Sequence, residues 1–310
     1  MSPRFQRSPD PKDLRHALGA WLPQTNFPNP GVSLRCAVSG GADSLSLMAL
    51  AAVAGCRVTA IHVDHGQRSG SVEEAAVVER YANELGIALD NDVAFESHSV
   101  DVKPGSNLEA RMRAARYGVL GADAATGHTA DDQAETLLIN LVRGAGLMGL
   151  GAMQPSHRRP ILGLRRTDTE KICSTLGWKP VIDASNDDPA FQRNRMRHEV
   201  IPLLNDVADR DIVPLLNRSS QHAREAGKTI LEQAQRIDAT DAKQLAASPT
   251  PVAAIAIQEW IRNETSDVYP VDTASIARVL QVASGEIKAA EVSGGWRVHR
   301  SKQRLFVTKA

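Results

Sequence analysis

The sequence predicts an α/β protein: a parallel sheet covered on both faces by helices, followed by a second, smaller and mainly helical domain. Three observations carry this expectation. Apolar, β-branched runs alternate with amphipathic stretches from residue 33 to about 142, the pattern of parallel strands joined by helical crossovers. The run "SGGADS" (39–44) lies where the first strand meets the first helix. From about residue 206 the alternation is replaced by helical periods and, near the end, by strand-like "WRVHR" and "RLFVT". A boundary near 215 divides the chain into a larger part, 1–215, and a smaller one, 216–310.

Taken in order, "SLRCAV" (33–38) reads as a strand and 44–54 as a helix. The stretch "LSLMALAAVAGC" (45–56) is too short to span a bilayer and suits a buried core helix. "RVTAIHV" (57–63) is a β-branched strand, and "SVEEAAVVERYANELG" (71–86) an amphipathic helix expected to end at Gly86. A weak strand is expected at 88–94, a helix over 107–120, a strand at 122–126 and a helix over 130–142. A Gly- and Pro-rich stretch (144–163) leads to a helix near 168–177 and the polar loop "DASNDDPAFQRNR". The notable turns all follow strands, so they line one rim, where open α/β sheets bind their ligands.

A length of 310 residues suits two domains, and 42% apolar with 23% charged residues is ordinary for a soluble globular protein. Lys plus Arg and Asp plus Glu number 36 each, so total charge announces no polyanionic partner. Basic character is local, in "QRNRMRH" (192–198) and in the last twenty residues. Cys36, Cys56 and Cys173 form no C-x-x-C pair, which leaves buried, reduced thiols as their reading. The N-terminus has no apolar h-region. A cytoplasmic protein with no membrane partner is expected.

"SGGADS" is not a Walker A loop, because it has no lysine. It is a glycine turn at a helix N-terminus, where free N–H groups and the helix dipole favour phosphate. Without the lysine it fits pyrophosphate as a leaving group better than γ-phosphoryl transfer. The plain alternative is a tight turn with Ser as N-cap. "HVDHGQRSG" (62–70) lacks metal-ligand spacing and fits the lip of a nucleotide pocket better. In "NLEARMRAARY" (107–117), Arg113 and Arg116 share a helix face and could clamp a phosphate or a nucleic-acid backbone, although by itself the stretch reads more readily as a solvated helix face. In "TGHTADDQAET" (126–136), His128 ends a strand and Asp131, Asp132 and Glu135 open the next helix. Acids there are stabilising in themselves; they could also hold Mg²⁺ or a substrate ammonium.

Together these runs, with "RGAGLMGLGAM", "RPILGLRR" and "SNDDPAFQRNRMRHEVIPLL", span roughly residues 33–203. In this order they resemble the PP-loop ATP pyrophosphatase superfamily, an adenine nucleotide alpha hydrolase-like fold, and within it the tRNA(Ile)-lysidine synthetase family. The resemblance implies ATP and Mg²⁺, the isoleucine tRNA with a CAU anticodon, and free L-lysine. ATP would adenylate O2 of the wobble cytidine, and the lysine side-chain amine would then displace AMP at C2. By the same carry-over, Ser39, Gly40, Gly41, Asp43 and Ser44 form the pyrophosphate loop and His62 contacts the nucleotide. Asp43 and Asp132 would hold the metal. His128 and Asp132 would sit near the α-phosphate and cytosine, with Arg113 and Arg116 steadying the intermediate.

Asp132 is the first candidate for the base. Asp131, Glu135, Asp187 and Asp188 are unranked candidates for gripping the lysine α-amino group. Arg193, Arg195 and Arg197 read as tRNA contacts, the small domain as the main tRNA reader, and a homodimer is left open. The chain departs from the family pattern at Thr129, where a second histidine is common, and at Gln67, where leucine is common; at 310 residues it is expected to lack the further C-terminal domain of longer members. Rival readings are a tRNA thiolation enzyme, for which the cysteine pairs are missing, a small-molecule amidotransferase or ligase, and a non-catalytic nucleotide-binding regulator.

Overall fold

The computed structural model describes residues 11–64, 71–100, 111, 114–115, 118–181, 188–265 and 271–310. Its first helix, α1 (Pro11–Gly19), is amphipathic and puts Leu14 and Leu18 into the core. The parallel sheet follows: β1 (Ser33–Ala37), β2 (Arg57–Asp64) and β3 (Val93–Ser99), hydrogen-bonded in the order β1-β2-β3. α2 (Ala42–Val53) and α3 (Ser71–Leu89) make the crossovers. Every residue of α2 from Ser44 to Val53 is buried, as its unbroken apolar run predicts.

Two expected boundaries move. Helix α3 passes through Gly86 and ends at Leu89, with Asp90 taking the left-handed conformation at φ 47°. A glycine inside a helix costs about 1 kcal/mol. Burial of Leu85, Ala88 and Leu89 exceeds that cost, because each buried leucine alone contributes roughly 1.5–3 kcal/mol. The strand expected at 88–94 consequently begins only at Val93.

The strand expected at 122–126 is reduced to one parallel bridge, Cys36 to Ala125, with Ala37 N–H donating to Ala125 O and Ala125 N–H to Arg35 O. That bridge lies on the edge of β1 away from β2. The chain therefore winds one way from β1 and returns on its other side, which opens a crevice above β1 at the carboxyl ends of the strands. Most of the helix expected over 107–120 lies outside the described residues, Arg113 and Arg116 included.

α4 (Ala130–Val142) has the bounds its periodicity predicts, and α5 (Arg166–Thr175) packs on α2. The run Gln192–Ala208, here α6, is helical throughout, with a π turn over Met196–Val200. Helix α7 (Val213–Ala234) follows.

The chain divides into two compact units, residues 1–145 with 152–220, and residues 146–151 with 221–310. The second contains the remainder of α7, then α8 (Ala242–Ala247), α9 (Thr250–Thr265) and α10 (Thr273–Ser284). An antiparallel sheet completes it: β4 (Ala289–Val292), β5 (Trp296–Ser301) and β6 (Arg304–Lys309), in the order β4-β5-β6. Its own core includes Ile257, Val279, Val282, Val298 and Leu305. Residues 146–151 belong to this unit through an Arg224 guanidinium donating to Gly151 O at 2.6 Å. No described helix is long and apolar enough to cross a membrane.

Candidate active site

The turn after β1 is built for close approach. Gly40 has φ 91°, a conformation that disfavours any side chain, and its carbonyl accepts from Val181 N–H at 2.9 Å. Gly41 is the N-cap of α2, and no side chain caps that helix end. The expected alternative, a serine N-cap, is therefore not what the turn contains. The Ser44 hydroxyl instead ties the loop to itself, accepting from Ser39 N–H at 3.1 Å and donating to Gly41 O at 2.9 Å. A rigid loop around an uncapped helix N-terminus suits a phosphate oxygen.

Gly127 brings the fourth motif onto this loop. A Cβ at that position would lie 2.9 Å from the Asp43 carbonyl carbon and oxygen and 3.0 Å from Ser44 N, so only glycine lets the two backbones meet. The sequence reading did not single it out; its signal was a glycine placed between a strand end and a helix cap. One residue on, His128 Nδ1 lies 2.7 Å from the Thr126 hydroxyl. Asp132 Oδ2 accepts from the N–H and hydroxyl of Thr129, at 2.8 and 3.0 Å, and so serves the start of α4. Thr129 thus has a structural partner in Asp132.

The acids meet arginines from two separate stretches, 165–166 and 193–197. Glu135 is fully buried and accepts from Arg193 Nε and Arg197 Nε, each at 2.8 Å, with Arg166 at 3.4 Å. Asp132 Oδ1 faces the same three guanidiniums at 3.5–3.8 Å. Arg166 also reaches Asp43 at 3.7 Å. Asp131 is held by Arg165 through two 3.0 Å hydrogen bonds and by Arg166 N–H at 2.8 Å. Burial would push the Asp131 carboxyl up, but the hydrogen bonds of Arg165 and Arg166 hold it below the usual range.

Arg165 and Arg166 were missed as site residues. Their sequence signal is two adjacent cations in the first turn of a helix, where the dipole opposes them and nearby acids must offset the charge. The three arginines of "RNRMR" are separated by the fold. Arg193 and Arg197, four apart, converge on Glu135, while Arg195 pairs with exposed Glu199 at 2.9 Å. His62 is buried, its Nδ1–H donating to Val38 O at 3.0 Å, so it braces the end of β1. Asp188 Oδ1 accepts from Ala190 N–H in an exposed turn, and Asp187 lies outside the described residues.

The chain matches the PP-loop domain family over residues 22–204. It is 38% identical over 265 residues to a tRNA(Ile)-lysidine synthase of Nocardia farcinica, covering 80% of this chain and 81% of that one. It is 35% identical over 322 residues to another from Salinispora tropica, covering 94% and 93%. The chain belongs to the tRNA(Ile)-lysidine synthase family. Among solved structures, the U34-tRNA thiolase NcsA of Methanococcus maripaludis, with its 4Fe-4S cluster, gives a TM-score of 0.48 at 16% identity, covering 69% of this chain and 78% of that one. In this member of the lysidine synthase family Cys36, Cys56 and Cys173 are free and buried, and burial pushes the Cys36 thiol up, away from reactivity.

Asp43 is perturbed in the opposite direction to Asp131. Burial raises its carboxyl from 3.8 to about 6; the Thr169 hydroxyl, at 2.5 Å, opposes the rise and the nearby Asp132 adds to it. Mutual repulsion of two oxygen donors is what a divalent cation relieves, and Mg²⁺ commonly takes one or two carboxylates together with substrate phosphates. Asp43 and Asp132 therefore fit that metal. Among the described residues no cluster of three or more His, Cys, Asp and Glu forms a metal cage.

Because the folded value of Asp43 is raised, ionising it disfavours the folded state. That cost is absent below about pH 4, grows as pH rises, and is complete above about 6. Asp43→Asn, whose amide oxygen still accepts from Thr169, is expected to melt a few degrees above the parent at pH 7.5. The difference should vanish near pH 4. Equal melting temperatures across that range would show that Asp43 bears no such cost.

Proposed function

We propose that the chain ligates free L-lysine to C2 of the wobble cytidine in CAU-anticodon isoleucine tRNA, consuming ATP and releasing pyrophosphate and AMP. One observation carries the reading: Arg166 reaches both the uncapped glycine loop's Asp43 and the buried acids Asp132 and Glu135. A phosphate cradle and an acid–arginine cluster thus form one continuous site, as adenylation followed by amine attack requires.

In the first step O2 of the cytidine attacks the α-phosphorus of ATP and pyrophosphate leaves. The N–H groups around Ser39, Gly40, Gly41 and Ser44 hold the departing phosphates, and Arg166, Arg193 and Arg197 stabilise the charge that develops. Mg²⁺, with Asp43 and Asp132 as its protein ligands, would supply further neutralisation of phosphate charge. In the second step the lysine amine, with an unperturbed pKa of about 10.4, must lose a proton before it attacks C2 and expels AMP. Asp132 Oδ1, the oxygen not bonded to Thr129, would be free of the metal once pyrophosphate has left, and accepts that proton. His128, braced by Thr126, orients the base. Asp131 and Glu135 order the arginines; a lysine ammonium reaches either acid by taking the place of a guanidinium. The second unit and the exposed Arg195 contact the tRNA.

The test is incorporation of labelled lysine into unmodified CAU-anticodon isoleucine tRNA, with AMP followed in parallel and each reactant omitted in turn. Incorporation dependent on ATP, lysine and tRNA together is expected. AMP formation with tRNA but without lysine incorporation would show that the nucleophile is wrong. No reaction despite ATP binding would make the chain a nucleotide-binding protein.

A further inference from the structure

The turn Ser156–Arg159 presents His157, Arg158 and Arg159 in succession at the rim that carries the site. It is closed by an antiparallel bridge between Ser156 and Arg159, whose N–H donates to Ser156 O at 2.8 Å. The Arg158 carbonyl accepts from Thr126 N–H at 2.9 Å and from the Thr126 hydroxyl at 3.2 Å. That same hydroxyl contacts His128. From the other side His157 Nδ1–H donates to Asn26 O at 2.8 Å, and Asn26 N–H donates to Pro160 O at 2.8 Å. The turn is therefore held on both flanks, one hydrogen bond away from the residue that leads into His128.

Its two guanidiniums are underused. Arg158 is exposed and forms no ion pair among the described residues. Arg159 donates only weakly to Gln154 O, at 3.4 Å, and its Nε is buried with no hydrogen-bond partner. A buried guanidinium donor without an acceptor is costly. Neighbouring arginines that lack carboxylates, on a braced turn, complement an oxyanion with several oxygens, and the planar fork of arginine matches phosphate.

We propose that Arg158 and Arg159 form a phosphate-binding turn that grips the RNA backbone beside the nucleotide delivered to His128 and Asp132. The proposal rests on the reading of the chain as a tRNA-modifying enzyme. A base extruded toward Asp132 carries its flanking phosphodiesters past this rim. Because the turn is braced before binding, little ordering is needed when the phosphate arrives. The competing source of the same chemistry is a phosphate of ATP, which the glycine loop already serves.

The test compares the parent with Arg158→Gln for binding of unmodified isoleucine tRNA across a salt series, and of a non-hydrolysable ATP analogue by calorimetry. Arg158→Gln is expected to weaken tRNA binding about three- to tenfold and to reduce the salt slope by roughly one phosphate contact. Melting temperature and analogue affinity should stay at parental values. Arg159→Lys, which keeps charge but loses the fork, is expected to weaken tRNA binding in the same direction. Parental tRNA affinity and slope in both variants would overturn the proposal, as would a loss confined to the ATP analogue. A parent that binds no tRNA would overturn the functional reading and this proposal with it.

Discussion

Glu135→Ala is expected to destabilise the protein by about 3–5 kcal/mol, the range for breaking a buried ion pair from one side. Glu135 is 0% exposed and is the shared acceptor for Arg193 and Arg197, with Arg166 close by. Without it, Arg193 and Arg197 are left with Asp132 as their nearest acid, and at 3.8 and 3.7 Å it gives them longer contacts than the 2.8 Å bonds they lose. Desolvation would remain while most of the attraction disappeared. Glu135→Gln keeps the volume and one acceptor oxygen, so its loss should be smaller than that of alanine. Urea unfolding of both variants, read as a shift of midpoint at constant m-value, checks the ranking. A midpoint within experimental error of the parent for Glu135→Ala would mean that the cluster contributes nothing to stability.

Asp132→Asn is expected to lower lysidine formation by about 10²–10⁴-fold, the span associated with loss of a positioned base, while leaving the fold nearly intact. The two oxygens of Asp132 have different work. Oδ2 bonds to Thr129 at the start of α4, and an asparagine oxygen can still accept there. Oδ1 faces the arginines and the proposed substrates. Asp132→Ala removes both, so it should add a stability loss of roughly 1 kcal/mol from the lost cap contact. Single-turnover assays separate the steps. AMP–tRNA intermediate that forms but is not consumed by lysine places Asp132 in the second step, whereas near-normal product removes it from the mechanism.

Both predictions show where a linear reading stops. The acids of "TADDQAE" were legible as a group, because a helix start concentrates Asp131, Asp132 and Glu135 within two turns. Their partners were not. Arg166 lies 31 residues from Glu135, and Arg197 lies 62 residues away. "QRNRMRH" looked like one basic patch for RNA, yet a spacing of four directs Arg193 and Arg197 inward, while Arg195 points to Glu199. Gly86 looked like a helix stop, but burial of the next hydrophobic turn carried the helix past it. His62, read as a nucleotide contact, is buried with its Nδ1 on Val38 O, a partner that no local pattern announced.

The amino-acid sequence by itself determined the alternation of strands and helices, the glycine turn after the first strand, the acids at the head of α4 and the family to which the chain belongs. These are properties of periods of two and 3.6 residues and of short motifs, which are set by neighbours along the chain. Only the tertiary structure decided that Gly127 must have no side chain, that Glu135 is the buried centre of three arginines, and that the Arg158 turn borders His128. Each depends on backbones or charges far apart in sequence being forced together when the apolar faces of α2, α4 and α6 are buried, and local pattern contains no record of which distant charge will arrive.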